Sequence, residues 1–259
     1  MPPADGPAPP RTLRVATFNI RNGLAWDGCN SWPFRRRATL RAIQDLDADV
    51  LGLQEVYRFQ LRWLARHLPG YVVLAGEGRS SRRGGEMGPL LVRAGSATAT
   101  GATTRWYGPT PDVAGTRLPE ASFPRTATVA ELHLIAWDRT VQVATTHLDE
   151  ARKENRVRSA EQLLGWLRPD LPRLVVGDLN ATPPSGTIAA LRAGGLEPVL
   201  LPEGTGTAHQ FTGRRDGVQI DHILSSGEWS VRSATVHATP PGPRLPSDHW
   251  PLSADLTLS

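Results

Sequence analysis

Seven polar side chains of this chain fall at or just beyond the ends of apolar, strand-like segments. They are carboxylates, amides and a histidine, which are groups that bind divalent cations or move protons. One such residue alone is usually a turn residue that ends a strand. Seven at matching positions predict a shared cleft, because strand ends can converge at the rim of a sheet. The seven are Asn19, Glu55, His147, Asp178, Asn180, Asp221 and Asp248, and His249 directly follows the last.

The oxygen-rich composition of this set favours a hard cation. Carboxylate and amide oxygens without cysteine suit Mg²⁺ or Mn²⁺. Glu55 is the best single candidate for a metal ligand, with Asp248 and Asn19 completing or supporting the coordination sphere. A bound cation polarises a phosphoryl oxygen, and Mg²⁺ usually leaves positions open to water and substrate phosphate. We therefore predict a metal-dependent hydrolase of phosphate esters.

Two histidines, His147 and His249, are candidates for proton transfer. A histidine near its ordinary pKa exchanges protons at neutral pH, and a carboxylate behind it fixes its tautomer and orientation. The two could act as base and acid on opposite sides of an in-line phosphate. The sequence leaves open which of them does which, and Asp178 competes as the base.

The segments that position these residues alternate between strand-like and helix-like patterns. Many strands with only three or four helices predict a mixed α/β domain of the α+β type, with stacked sheets and helices on the outer faces. No GxGxxG motif follows a strand, which disfavours a dinucleotide-binding fold. The predicted strands are residues 13–20, 49–56, 71–75, 88–93, 126–134, 141–147, 174–180, 218–224, 231–237 and 250–258, and the predicted helices are 34–46, 59–68, 155–167 and 187–191.

Length and composition limit the organisation of the chain. Its 259 residues are at the upper edge of one domain, and residues 1–11, rich in proline, glycine and alanine, predict a flexible tail before a single domain over 12–259. The single cysteine, Cys29, excludes an intramolecular disulfide. The sequence shows no secretory signal and no apolar run of about twenty residues. We expect a cytoplasmic monomer without an integral membrane segment.

The net charge is +4, and arginine supplies nearly all of the positive charge. The densest clusters are residues 35–37, 79–83 and 214–215. They suit either attraction to a polyanion through phosphate contacts or a solvated, arginine-rich surface. Charge alone slightly favours the solvated surface, whereas basic patches beside a phosphate-cleaving site would favour the polyanion.

Six motifs, in order and spanning nearly the whole chain, resemble the endonuclease/exonuclease/phosphatase superfamily. This superfamily includes pancreatic deoxyribonuclease, AP endonucleases, inositol-polyphosphate phosphatases and neutral sphingomyelinases. The resemblance implies a four-layer α-β-β-α sandwich of two stacked mixed sheets flanked by helices, and a divalent metal cofactor. The motifs are TFNIRNG (17–23), LQEV (53–56), THLD (146–149), GDLNATP (177–183), QIDHIL (219–224) and SDHWPL (247–252).

The resemblance also implies which residues bind metal and orient the attacking water. Glu55 matches the principal metal carboxylate, with Asn19 as its neighbour on the first strand. Asp248 matches a metal-proximal acid. Asp178 and Asn180 match the pair that orients the attacking water and holds the phosphate.

The remaining positions match groups that face the substrate. His249 matches the general base or phosphate-stabilising imidazole, and Asp221 the carboxylate that orients it. His147 matches the second histidine of the nuclease and sphingomyelinase branches, with Glu86 as its expected carboxylate partner. Arg125 falls where many members place a phosphate-facing arginine, so we expect Arg125 and Glu86 to contact substrate.

One departure from the family pattern bears on the substrate. AP endonucleases carry an aspartate two residues after the first-strand asparagine, where this chain has Arg21. Together with His147, this moves the expectation from abasic-site repair toward the broad bacterial group of metal-dependent hydrolases. We expect phosphodiester hydrolysis by a nuclease acting on DNA or RNA. The alternative is a phosphatase or phosphodiesterase of a small phosphorylated metabolite or a phospholipid head group.

Three loops, 76–88, 105–124 and 203–217, are expected to decide between these substrates. An open basic groove would favour a polymer, and a closed pocket a small ester. In the second loop Trp106 is the tryptophan expected to form a wall of the cleft, where it could stack on bases. In the third, His209 is equally compatible with an ordinary loop position and with an approach to substrate. A non-catalytic scaffold is disfavoured because every expected site residue is present.

Overall fold

Two six-stranded mixed sheets stack face to face in the computed structural model of the chain, which describes residues 11–74, 76–240 and 242–259. The predicted tail, apart from Arg11, lies outside the described residues. The strands are β1 Leu13–Asn19, β2 Val50–Gln54, β3 Tyr71–Leu74, β4 Leu90–Arg93, β5 Ala97–Trp106, β6 Thr126–Leu134, β7 Arg139–His147, β8 Arg173–Asp178, β9 Glu197–Pro198, β10 Asp221–Ser225, β11 Trp229–Val236 and β12 Leu252–Leu258. The helices are α1 Trp32–Leu46, α2 Arg58–His67, α3 Lys153–Trp166 and α4 Gly186–Ala193, and a 3₁₀ turn covers Gly28–Asn30.

Each sheet contains one parallel pair of strands among antiparallel neighbours. The first sheet has the order β11-β12-β1-β2-β4-β3, with β1 and β2 parallel. The second has the order β5-β6-β7-β8-β10-β9, with β7 and β8 parallel. The carboxyl ends of a parallel pair meet at one edge of the sheet, so each sheet brings two strand ends to the same rim.

Three apolar clusters define four layers. The cluster between the sheets includes Val15, Val143, Val176 and Ile223. On the outer face of the first sheet, side chains of β1 and β2 pack against α1 and α2, and on the outer face of the second sheet β8 packs against α3 and α4. The predicted α-β-β-α sandwich is therefore confirmed. In the described ranges, no helix is both long enough and apolar enough to cross a membrane.

Strand alternation determines where the polar strand ends point. Val15 of β1 faces the core between the sheets, so Asn19, four residues later, faces the same way. In β8, Val176 also faces this core, so Asp178, two residues later, faces the same way. His147 and Asp221 are in register with Asp178 on its two neighbouring strands, β7 and β10. The polar ends of four strands therefore lie between the sheets at one rim.

A buried polar layer lies just below this rim. The Thr17 hydroxyl donates to Gln54 Oε1 at 3.2 Å, and Gln54 Nε2 donates to the Thr145 hydroxyl of the opposite sheet at 3.1 Å. All three residues have 0% exposure. Because their polar groups are paired, they can lie beneath the site without an unsatisfied buried group.

Two strands were not predicted from the sequence, β5 and the two-residue β9. Residues Thr98 to Thr103 of β5 are exposed, and the segment is made of threonine, alanine and Gly101 without apolar alternation. Cross-strand pairing with β6 forms this edge strand despite a bulge between Ala99 and Gly101. The signal that identifies half-buried strands, alternating hydrophobicity, is absent from an edge strand of this kind.

We expect Gly52→Ala to destabilise the protein. A Cβ at Gly52 would lie 2.5 Å from Val176 Cγ2 and 2.7 Å from Thr145 Oγ1, so the sheets approach closely only because this side chain is missing. Overpacking of this kind costs about 1–3 kcal/mol. Urea unfolding measures the loss. Gly101→Ala is the matched control, since a Cβ there meets nothing within 4 Å, and equal stability of the two variants would contradict the close approach.

Candidate active site

The Asn19 side chain connects the two sheets at the rim. Its Nδ2 donates to Glu55 Oε1 and to Asp178 Oδ2, each at 3.0 Å, and its Oδ1 accepts from the Arg21 amide at 2.9 Å. Asn19 has 0% exposure. One amide thus brings a carboxylate of the first sheet next to a carboxylate of the second.

Three residues of the site adopt the left-handed backbone conformation although none is glycine. They are Arg21 at φ 57°, Glu55 at φ 59° and Asn180 at φ 48°. Such conformations cost about 1–3 kcal/mol each and cluster at functional sites. At Glu55 the turn redirects the chain directly after β2, and its Oε2 accepts from the Asn22 amide at 2.8 Å. The surrounding hydrogen bonds hold this strained backbone in place.

His249 is held by Asp221. The Nδ1 of His249 lies 2.8 Å from Asp221 Oδ2, and its Nε2 lies 3.9 Å from Asp178 Oδ2. Burial by itself lowers the pKa of His249, but the charge and hydrogen bond of Asp221 outweigh burial and raise that pKa to about 10. The imidazole is therefore positively charged at neutral pH. Burial and the charge of Asp221 also raise the pKa of Asp178 above the usual carboxyl range.

His147 approaches the same carboxylate in the opposite protonation state. Its Nε2 lies 3.5 Å from Asp178 Oδ2. Burial, and then the positive charge of Arg125, hold the pKa of His147 well below its usual value. One oxygen of Asp178 thus faces a charged imidazole and a neutral one. The two histidines are chemically distinct, which sequence position does not show.

The expected pairing of His147 with Glu86 is wrong. Glu86 Oε2 lies 2.8 Å from Arg79 Nη1, and Glu86 Oε1 accepts from Asn22 Nδ2 at 3.0 Å. The amide of Arg79 also donates to the Glu86 carbonyl at 2.8 Å, which places the guanidinium beside the carboxylate. A permanently charged arginine is a stronger partner for a carboxylate than a neutral imidazole.

A pocket opens beside Glu55, and we call it the side pocket. Its volume is about 260 Å³ including the open space at its mouth. Arg79 lies with its guanidinium carbon 4.2 Å from the centre of the exposed Phe123 ring. Arg125, which is buried, forms an ion pair with Glu150. The lining includes Glu55, Arg79, Glu86, Arg125 and His147.

Asp248 lies at the first-sheet side of the rim. Its Oδ1 accepts from the Ser247 hydroxyl at 3.1 Å, and its Oδ2 lies 3.6 Å from Arg21 Nε. Burial, together with the charge of Glu55, raises the pKa of Asp248. Arg21, which the sequence marked only as a departure from one branch of the family, also makes two contacts of 3.0 and 3.1 Å to Asp27.

Asn180 is placed by backbone contacts on the second sheet. Its amide nitrogen donates to Asp178 Oδ1 at 2.9 Å, and its Nδ2 donates to the Leu148 carbonyl at 3.1 Å. Both bonds use donors, so the side-chain oxygen keeps its lone pairs for a ligand.

The acidic groups of the rim suit a divalent cation. Glu55 and Asp248 carry carboxylate oxygens that are the ligands of Mg²⁺ and Mn²⁺. Burial raises the pKa of Asp248, and a divalent cation beside its carboxylate would favour the charged form. The Asn19 oxygen accepts from the Arg21 amide, and the Asn19 NH₂ group donates to both Glu55 and Asp178.

A second group of potential ligand atoms, from Asp178, Asp221 and His249, lies within 4.8 Å of one another. The Nδ1 of His249 is already paired with Asp221, and the charge of Asp221 raises the pKa of this imidazole to about 10. We therefore regard these three residues as the proton-transfer part of the rim.

Two residues considered from the sequence have other roles in the structure. Trp106 is not a wall of the cleft, because it has 0% exposure and its Nε1 donates to the Arg79 carbonyl at 2.9 Å. His209 packs on Trp250 at 4.2 Å between ring centres, and its amide donates to the Asp248 carbonyl at 2.8 Å. Trp106 therefore holds the backbone of Arg79, and His209 holds the backbone of Asp248.

Arg79 and Asn22 were not among the predicted site residues. Asn22 donates both to Glu55 through its backbone and to Glu86 through its side chain. It lies within the TFNIRNG motif, which could have identified it. Arg79 lies in a glycine- and arginine-rich loop without apolar pattern, so the sequence offered only its charge.

Comparison with known proteins identifies the family of the chain. Residues 16–249 match the Endonuclease/Exonuclease/phosphatase family. The chain belongs to this family. Members of the family hydrolyse phosphoesters and depend on divalent metal ions, which suits the buried acidic rim. No curated protein sequence matches the chain.

Three solved structures are similar over nearly the whole chain. A family member from Bacteroides vulgatus is 29% identical with a TM-score of 0.87, covering 96% of this chain and 100% of that one. A family member from Bacteroides thetaiotaomicron is 25% identical with a TM-score of 0.87, covering 97% and 100%. A mannosyl-6-phosphatase from Bacteroides thetaiotaomicron is 25% identical with a TM-score of 0.86, covering 95% and 100%.

We expect the stability of the metal-free protein to fall as the pH rises from about 6.5 to about 10. The pKa of His249 is higher in the folded than in the unfolded chain, so its stabilisation is complete below the unfolded value and is lost as the imidazole deprotonates. Asp221→Asn should flatten this decline. Urea unfolding in EDTA at several pH values measures it, with the exposed Asp216→Asn as control. Parallel curves for Asp221→Asn and wild type would contradict the pairing.

Proposed function

We propose that the chain is a hydrolase of small phosphate esters that uses a divalent metal ion, Mg²⁺ or Mn²⁺. The observation that carries the proposal is the Asn19 amide, which joins Glu55 to Asp178 across the two sheets. Glu55 and Asp248 would hold the metal, with Asn19 supporting them. The bound ion supplies positive charge to a phosphoryl oxygen.

Asp178, Asp221 and His249 have different roles in the proposed proton transfer. Asp178, whose pKa is raised, accepts a proton from the attacking water while Asn180 helps to orient that water. His249, kept charged by Asp221, donates a hydrogen bond to a phosphoryl oxygen. The water oxygen bonds to phosphorus and the ester P–O bond breaks. The leaving alkoxide takes up a proton from solvent, and Asp178 returns its proton to solvent. Positioning and charge stabilisation of this kind are the main means of phosphoryl-group catalysis.

Local pairing of arginines argues against a polyanion groove. The clusters noted in the sequence include Arg35, which is buried, and three arginines that pair with nearby acids. Such pairs neutralise the charge that phosphate contacts along a nucleic acid would need. The pairs are Arg79–Glu86, Arg82–Glu77 and Arg214–Asp216.

The side pocket suits a hydroxyl-rich leaving group. Its walls carry an arginine–carboxylate pair, Arg79 with Glu86, that can donate to and accept from neighbouring hydroxyls. Phe123 adds an apolar face next to Arg79. The pocket opens to solvent and lies beside Glu55. A phosphorylated sugar or similar polyol is therefore the proposed substrate class, in keeping with the mannosyl-6-phosphatase that the chain resembles.

A nuclease is the second candidate, because one exposed aromatic residue lies near the rim. Trp26 is 89% exposed and directly precedes Asp27, the partner of Arg21. An exposed indole can stack on an unpaired base. Single-stranded nucleic acid is the form of substrate that such a contact would favour.

Loss of the metal carboxylate or of the charged histidine should remove activity. We expect His249→Ala to lower kcat by about 10²–10³-fold, as does removal of a donor to the reacting oxygen, and Glu55→Gln to remove metal-dependent turnover. EDTA should abolish turnover and added Mg²⁺ or Mn²⁺ should restore it. The control is Glu197→Gln, which should retain full activity. Glu197 is an exposed acid of β9 that pairs with Arg192 of α4. Retained turnover in Glu55→Gln would contradict the proposed metal position.

The substrate class is tested by steady-state kinetics on hexose 6-phosphates, p-nitrophenyl phosphate, single-stranded DNA, RNA and plasmid. We expect the highest kcat/KM for a sugar phosphate. Arg79→Lys should raise KM for that substrate by about tenfold, because a lysine loses the planar fork that holds Glu86. KM for p-nitrophenyl phosphate should change little. Arg82→Lys, paired with Glu77 on the same loop, is the matched control. Faster cleavage of DNA or RNA would select the nuclease.

A further inference from the structure

Arg35 of α1 is a buried cation without an acidic contact. Its exposure is 0%, and within the described residues no carboxylate oxygen lies within 4.0 Å of it. Its guanidinium instead donates to three backbone carbonyls. Nη1 donates to Ile20 O at 2.6 Å and to Pro246 O at 3.1 Å, and Nη2 donates to Arg21 O at 2.9 Å.

Burial of an unpaired charge is costly, so something must compensate it. Burial lowers the pKa of Arg35 to about 10, which leaves it charged at neutral pH. The carboxylate of Asp248 acts on this charge from beyond contact distance, and those of Asp27 and Glu55 add to it. The carbonyl contacts and the acidic rim therefore both stabilise the buried guanidinium.

The three carbonyls belong to two segments that carry the rim. Ile20 and Arg21 directly follow Asn19, and Pro246 lies two residues before Asp248. Thr39, one turn after Arg35 on α1, reinforces the second segment by donating to Pro246 O at 2.6 Å. The guanidinium is planar and presents its donors in a fixed fork, so one side chain sets the spacing of both segments.

We propose that Arg35 is a positioning residue that holds the end of β1 against the segment of residues 246–249, and thereby sets the geometry of the groups that bind the divalent metal. The metal part of this inference rests on the proposed function. The positioning part does not, because it concerns the backbone of the metal-free protein.

Two substitutions separate geometry from charge. Arg35→Lys keeps the charge but not the fork, and Arg35→Gln removes the charge. If geometry dominates, both variants bind Mn²⁺ more weakly, by about 10–100-fold, the range typical of residues that orient metal ligands. If the positive charge mainly opposes the cation, Arg35→Gln binds Mn²⁺ more tightly than wild type, and the proposal is overturned.

The experiment combines Mn²⁺ titration by calorimetry with amide hydrogen exchange of the metal-free protein. We expect faster exchange in residues 19–22 and 246–249 of Arg35→Lys, with unchanged exchange in β6 and β7. In turnover assays kcat should fall by about 10–100-fold with KM within about threefold, and Arg35→Lys should be less impaired than Arg35→Gln. The control is Arg173→Lys, an arginine of β8 that donates to the Gly194 carbonyl away from the rim.

Thr39→Val covers the case in which the Arg35 variants do not fold. It removes the hydroxyl bond to Pro246 O at 2.6 Å, together with the longer contacts of that hydroxyl to Arg35 Nη1 at 3.4 Å and to the Arg35 carbonyl at 3.3 Å. It should accelerate exchange in residues 246–249 and weaken Mn²⁺ binding several-fold. Unchanged exchange and Mn²⁺ affinity in folded Arg35→Lys, or in Thr39→Val where the former does not fold, would show that Arg35 only fills space. A wild-type protein that binds no metal and hydrolyses no ester would overturn the proposed function instead, while the exchange data would still test the positioning.

Discussion

The site depends on one buried amide that lies between two carboxylates. Asn19 donates to Glu55 and to Asp178, and these acids belong to different sheets. Two negative groups in a buried setting repel each other unless donors lie between them. The two amide hydrogens of Asn19 lie between the acids and allow them to approach each other. The site therefore assembles only when the two sheets stack.

Around this contact the charges are separated by environment. Asp221 keeps His249 positive, while burial and Arg125 keep His147 neutral. Pairs of similar groups in different surroundings can take different roles in acid–base chemistry. Burial and the charge of Asp221 raise the pKa of Asp178, which lies between the two rings, against the opposing charge of His249. The different roles proposed for the two histidines therefore follow from Asp221 and Arg125 beside them and not from the residue type.

Much of the fold and the rim could be predicted from the sequence because strand parity is local information. Whenever β1 forms, Val15 and Asn19 lie on the same face of the sheet, and the same holds for Val176 and Asp178 in β8. The polar ends of these apolar strands were therefore recognisable. Contacts that depend on loops were not. The pairing of Glu86 with Arg79 in place of His147 follows from a turn in which the two residues meet through their backbones. Edge strand β5 lacked the apolar alternation on which such predictions depend.

The side pocket is built mainly from loops, whereas the proposed proton-transfer groups lie at or near strand ends. Arg79 and Glu86 lie between β3 and β4, and Arg125 lies between β5 and β6. A change of length or composition in these two loops leaves the Asn19 contact and the polar layer of Thr17, Gln54 and Thr145 intact. Substrate preference can therefore diverge between relatives through insertions and substitutions in these loops, while the reaction itself is inherited unchanged with the strands.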